Sequence, residues 1–192
     1  EAVLSVGIDY SVTEPLALIV EDRVLGRVAS LVESDEVLQA TIGRLPDDIR
    51  REQGWHTPED LEGVFHLERR LDRWALQARH PVPEIAQQSA QAWAEAALQS
   101  LGQAREHGRK ATELLAGDFI VDCEQLMDVD EPSQVWECVA YPRGVQAADL
   151  TQQLQQQIDR SYGVMPNISF ELQRVARSPQ TPVLYQRSSL LI

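Results

Sequence analysis

Cysteine is scarce: Cys123 and Cys138 are the only two in 192 residues. That is too few for a disulfide scaffold, and they lack the CxxC spacing of zinc or thioredoxin-like chemistry. There is no run of about 18 apolar residues, so no segment reads as a bilayer-spanning helix. Basic residues are also few, with 17 Lys+Arg against 30 Asp+Glu and a net charge of -13. Such a surface excludes nucleic acid as the main partner and repels anionic lipid. Membrane attachment would therefore have to come from covalent continuity with hydrophobic segments.

Chemical motifs are missing too. GxxxxGK[ST], GxGxxG and GxSxG do not occur, so nucleotide binding and a nucleophile elbow are not indicated. The four histidines, His56, His66, His80 and His107, show neither HExxH nor paired helical spacing, so no zinc site is expected. Asp128, Asp130 and Glu131 form the densest acidic cluster, but the glycine and distant glutamate of an EF-hand loop are absent, which favours a solvated turn. Two paired acids would suffice for glycoside hydrolysis, yet 30 acids guarantee some pair, so the observation has little weight. Asn167-Ile168-Ser169 matches a glycosylation acceptor, a triplet common by chance. No catalytic, cofactor-binding or metal-binding residue is assigned.

What is present is a foldable chain, 43% hydrophobic and 24% charged. Its length suits one core with an appendage, so residues 1–192 are expected to form one domain. Leu4, Val6, Ile8 and Tyr10 alternate as a half-buried strand. Leu25, Val28, Leu31 and Val32 mark an amphipathic helix, and Ser34 caps a second through Val37, Leu38 and Ile42, which Leu45-Pro46-Asp47-Asp48 ends. Thr57-Pro58-Glu59-Asp60 opens a short helix through Leu61 and Val64. Between His66 and His80, Trp74, Leu76 and Ala78 alternate with polar residues, which predicts an edge or one-faced strand stopped by Pro81 and Pro83.

From Pro83, residues Ala86, Ala90, Trp93, Ala97, Leu101, Ala104, Gly108, Ala111 and Leu115 recur at spacings of three and four. They give one helical stripe about 50 Å long, so part of this helix is expected to project from the core. Its alanines permit close approach, which makes Ala90, Trp93, Ala97, Leu101 and Ala104 the candidates for packing or oligomerisation. A core helix broken at Gly102 or Gly108 is the plainer alternative. Phe119 to Leu126 and Gln134 to Tyr141 are strand-like around a turn at Asp130-Glu131-Pro132-Ser133. A hairpin there places Cys123 opposite Cys138, a candidate disulfide in an oxidising compartment. Ala147 to Ser161 reads as a helix, and Ile168, Phe170 and Leu172 as a last strand. The expected class is α+β (mixed α/β), a small sheet with helices on one face and one long projecting helix.

Four stretches, in order, carry a resemblance: Glu1-Ala2-Val3-Leu4-Ser5-Val6; Val28 to Leu38; Trp74 to His80 followed by Pro83-Glu84-Ile85-Ala86 and Ala90-Gln91-Ala92-Trp93-Ala94-Glu95-Ala96; and Ala176-Arg177-Ser178-Pro179-Gln180-Thr181-Pro182-Val183. Together the chain resembles the extracytoplasmic domain of Wzz-type chain-length determinants, the polysaccharide co-polymerases of bacterial envelopes. Each motif is degenerate, and the specificity lies in their succession. Gln91 stands where the family usually has asparagine and Tyr185 where a third proline often follows, while Asp118 to Gly144 departs from the pattern altogether.

The resemblance implies a membrane-proximal base of about 1–85 and 145–192, with a long helix and variable insertion of about 83–144. It implies flanking membrane helices, an extracytoplasmic location at the cell membrane, and side-by-side assembly of copies. The partners are then a polysaccharide polymerase or the growing polymer of a lipopolysaccharide, capsule or exopolysaccharide. The implied role is non-enzymatic control of chain length or export, without cofactor or nucleic acid; any associated tyrosine kinase lies elsewhere. The opening at Glu1 without methionine and the apolar Leu190-Leu191-Ile192 suit a segment between two anchors, or a processed chain. Alternatives of other classes are an extracytoplasmic sensor or ligand-binding module and a carbohydrate-active enzyme.

Overall fold

The structure is a computed structural model that describes residues 1–11, 18–126, 135–142 and 147–178. It is a mixed α+β protein with a four-stranded sheet, a separate two-stranded ribbon and one long helix. The chain divides into two compact units, one of Glu1–Asp9, Ala29–Ser100 and Ser169–Ile192, the other of Tyr10–Val28 and Leu101–Ile168. Two helices, α1 (Leu18–Val32) and α4 (Pro83–Asp118), contribute residues to both.

The first unit is built on β1 (Ala2–Ile8), β2 (Phe65–Arg70), β3 (Arg73–Ala78) and β6 (Ile168–Arg174) in the order β2-β3-β1-β6. Alternation buries Ala2, Leu4 and Val6 of β1, and the antiparallel register sets Ala2 against Leu76 and Leu4 against Trp74. β2 pairs with β3 from Phe65 opposite Ala78 to Arg70 opposite Arg73. On the other side of β1, Ser169 Oγ donates to the Gly7 carbonyl at 3.2 Å and Arg174 pairs with Glu1. Those two contacts run β6 antiparallel to β1.

Two features of this unit differ from the expectation. The segment from His66 to His80 is a hairpin of two strands, and β3 sits inside the sheet while β2 forms its edge. The turn at Leu71 and Asp72 has no glycine to announce it. Leu71 takes the left-handed conformation at φ 52° and is 93% exposed, a placement against its type. Its carbonyl accepts from Trp74 Nε1 at 3.3 Å, and the Arg69 guanidinium lies 5.3 Å from the Trp74 ring centroid. The second difference is a helix, α3 (Asp47–Gln53), where the sequence suggested only the end of α2 (Asp35–Arg44).

The predicted caps are present. Ser34 Oγ accepts from the Val37 N–H at 3.4 Å at the start of α2, and Thr57 with Asp60 forms a reciprocal capping box on the 3₁₀ turn Pro58–Leu61. Ile42, Leu45, Ile49, Trp55, Leu61 and Ala92 form one buried cluster of this unit.

In the second unit, residues 101–118 of α4 pack with the ribbon, β4 (Phe119–Leu126) and β5 (Val135–Pro142), and with α5 (Ala147–Ser161). Ala111, Phe119 and Leu154 are its buried cluster, bordered by Leu114, Leu115, Ala140 and Leu150. α5 thus belongs to the same compact unit as residues 101–118. His107 Nδ1 bonds Gln157 Oε1 at 2.7 Å across the same pair of helices. The long helix is unbroken through Gly102 and Gly108 over 36 residues, about 54 Å. The turn at Asp130 to Ser133 and the segment from Pro179 onward lie outside the described residues.

Candidate functional site

The helical stripe singled out for packing or oligomerisation is interior to the chain itself. Ala90, Ala97 and Leu101 are 0% exposed, with Trp93 at 1% and Ala104 at 2%. Their contacts are therefore made within one chain, and no partner is needed to cover them. Trp93 shows what the stripe does in the first unit. Its Nε1 donates to the Val32 carbonyl at 2.9 Å, one of the unpaired carbonyls that end α1, and its ring lies 4.9 Å from that of Phe65.

Sequence reasoning missed a second device on α4. Gln91 Oε1 accepts the Ala176 N–H at 2.9 Å, and Gln87 Nε2, one turn earlier, donates to the Ala176 carbonyl at 3.1 Å. The two glutamines grip both polar atoms of one backbone residue just after β6. Gln91 Nε2 donates to Glu95 Oε1 at 2.8 Å, which fixes the amide's orientation. The sequence offered Gln91 only as a departure from a family pattern, since nothing local announces a partner 85 residues away. With Arg174 on Glu1, the clamp ties the exit of β6 beside the entry of β1, at one end of the sheet.

Each unit has a groove of about 340 Å³. In the first unit, Leu38, Leu61, Phe65 and Trp93 contribute apolar surface and Glu33, Asp35, Glu59 and Glu62 the charge. Lys110, Glu113, Leu114, Asp118, Gln153 and Gln157 line that of the second. The carboxylates with resolved shifts move toward the charged form. Glu59 is lowered by its own backbone N–H and the Thr57 hydroxyl, and Asp60 by the backbone N–H groups of His56 and Thr57. Glu68 is lowered by Arg70. A general acid working near neutrality needs the opposite shift. Among the described residues no group of three or more His, Cys, Asp or Glu is placed to hold a metal ion.

Two of the histidines, His80 and His107, have side-chain hydrogen-bond partners. His80 accepts the Val82 N–H on Nδ1 at 3.0 Å, which leaves Nε2 to donate to Gln53 Oε1 at 2.9 Å, and its ring stands edge-on to Trp55. Asn167 of the glycosylation triplet is only 8% exposed. The acidic cluster Asp128, Asp130 and Glu131 lies outside the described residues. Cys123 and Cys138 are register partners in the ribbon.

One surface charge pair has a titration consequence. Arg109 donates to Glu106 at 2.7 and 2.9 Å, and Lys110 lies 3.7 Å away, which together hold the Glu106 carboxyl at about 2 against an ordinary value of 4.5. The folded value is the lower, so the pair contributes stability above the unfolded pKa and loses it as pH falls from 4.5 through about 2. Thermal melts over that range should show wild type losing more stability than Glu106→Gln, with the difference shrinking at high salt. Parallel curves would contradict the assignment.

Among known proteins, no family model, no curated protein and no solved structure matches the chain. The described residues include no helix long and apolar enough to cross a membrane.

Proposed function

We propose that the chain is a non-enzymatic, oligomerising extracytoplasmic domain that regulates the length or export of a cell-surface polysaccharide. The observation that carries this reading is the pairing of β1 and β6, the first and last of the described strands in chain order. β1 and β6 are neighbours, Arg174 meets Glu1, and Gln87 and Gln91 hold Ala176 beside them. The start of β1 and the end of β6 therefore lie at the same end of one sheet, which suits a domain suspended between two membrane helices.

Two further observations support it. Glu59, Asp60 and Glu68 are held in the charged form by backbone N–H groups, the Thr57 hydroxyl and Arg70. The ribbon also carries an exposed apolar face, where Ile120 stands opposite Tyr141 beside Val139, at 55%, 54% and 46% exposure. The pleat puts these three on one side of the ribbon, opposite to that of the buried Phe119. Self-association is assigned to exposed positions of this kind, because the alanine stripe is already buried.

The test is the mass of the full-length protein, with its flanking segments, extracted in detergent and measured by light scattering. The reading predicts a defined multiple of the chain and no hydrolysis of the host's surface polymer. A monomer that cleaves the polymer would instead indicate a carbohydrate-active enzyme. A monomer whose melting temperature rises saturably with one small ligand would indicate a sensor.

A further inference from the structure

We infer that Cys123 and Cys138 form a disulfide across the two-stranded ribbon. The ribbon's register runs from Phe119 opposite Pro142 to Leu126 opposite Val135, and it sets Cys123 directly against Cys138. In an antiparallel ladder, directly opposed residues have Cα atoms about 4.5 or 5.5 Å apart according to their hydrogen-bonding class. Both separations fall within the roughly 4.4–6.8 Å that a disulfide spans. The pairing thus satisfies the backbone requirement whichever class the pair belongs to.

The ribbon also has reason to be stapled there. It is only two strands, an arrangement marginal in water without further packing. Its core contact is at its base, where Phe119 joins Ala111 and Leu154. Cys123 lies four residues beyond Phe119 on the same face, about 13 Å along the strand. Past the cysteines the next register pair is Glu124 opposite Glu137, and like charges directly opposed weaken a ladder. A covalent link at the cysteine pair would tie the two strands together beyond the base at Phe119.

Formation proceeds by exchange with an external disulfide such as glutathione disulfide. One cysteine thiolate attacks it to form a mixed disulfide and release one glutathione thiolate. The second cysteine then attacks the protein sulfur, forms the Cys123 to Cys138 bond and releases the other. The external disulfide is reduced to two thiols as the two cysteine thiols are oxidised.

The inference stands independently of the polysaccharide role. It is tested by equilibrating the folded chain with glutathione disulfide, quenching in acid and alkylating under denaturing conditions before mass analysis. Wild type should take no label until reduced and two labels afterwards, with a peptide linking Cys123 to Cys138. Cys123→Ser and Cys138→Ser should each expose one thiol or carry one glutathione. Hydrogen exchange at ribbon amides should be slower in the oxidised chain than in the double serine variant by on the order of tenfold or more. Two labels on oxidised wild type, linkage only between chains, or exchange identical to the double variant would each overturn it.

Discussion

Trp93→Ala is expected to lower the unfolding free energy by about 3–5 kcal/mol, the range for deleting a fully buried large aromatic side chain. Trp93 is 1% exposed, packs against Phe65 and donates to the Val32 carbonyl. Its loss opens a cavity in the first unit and strands a carbonyl at the end of α1. Trp93→Phe separates the two effects. It keeps much of the ring volume but removes the donor, so its cost should be nearer about 1–3 kcal/mol. Urea titrations of the three proteins give both values. A cost for the alanine variant comparable to that of a surface substitution would refute the packing described for α4.

Gly108→Ala and Gly102→Ala should change stability in opposite directions, although both replace a glycine in the same helix. A Cβ on Gly108 would lie 2.4 Å from the Val164 carbonyl oxygen, a backbone atom that cannot rotate away, whereas Gly102 has open space around it. Alanine is the better helix former by about 1 kcal/mol. Gly102→Ala should therefore stabilise by up to that amount. At Gly108 the overpacking cost of about 1–3 kcal/mol opposes the gain, and a net loss is expected. Thermal melts of the two variants decide the matter, and equal shifts would contradict the close approach at Gly108.

These two positions also show what the sequence could disclose. The stripe through Ala90, Trp93, Ala97 and Leu101 was legible because helical periodicity is local, and it did mark a buried face. Periodicity could not say whether the covering surface belonged to the same chain or another, and the structure answers that it is the same chain. The caps at Ser34 and Thr57 were legible because capping is a chemistry of neighbours.

Features that depend on distant partners were hidden. The α3 helix has one buried residue, Ile49, and a proline at its N-cap without a side-chain cap bond, so it offers no stripe or cap to recognise. The β2–β3 turn uses Leu71 where a glycine would have been informative. The glutamine clamp on Ala176 joins positions that share no sequence pattern, and the same holds for the packing of α5 beside Ala111 and Phe119. Opposed cysteines were legible because a hairpin's register follows from its strands and turn, and the ribbon's pairing places them so.

The central claim is the regulatory role, and its most direct test is the length distribution of the surface polysaccharide in the encoding organism. Polymer from wild type, from a deletion strain and from the deletion strain carrying the gene back would be resolved by gel electrophoresis. The account predicts a defined modal length in wild type, its loss or shift on deletion and its return on complementation. An unchanged distribution in the deletion strain would contradict it.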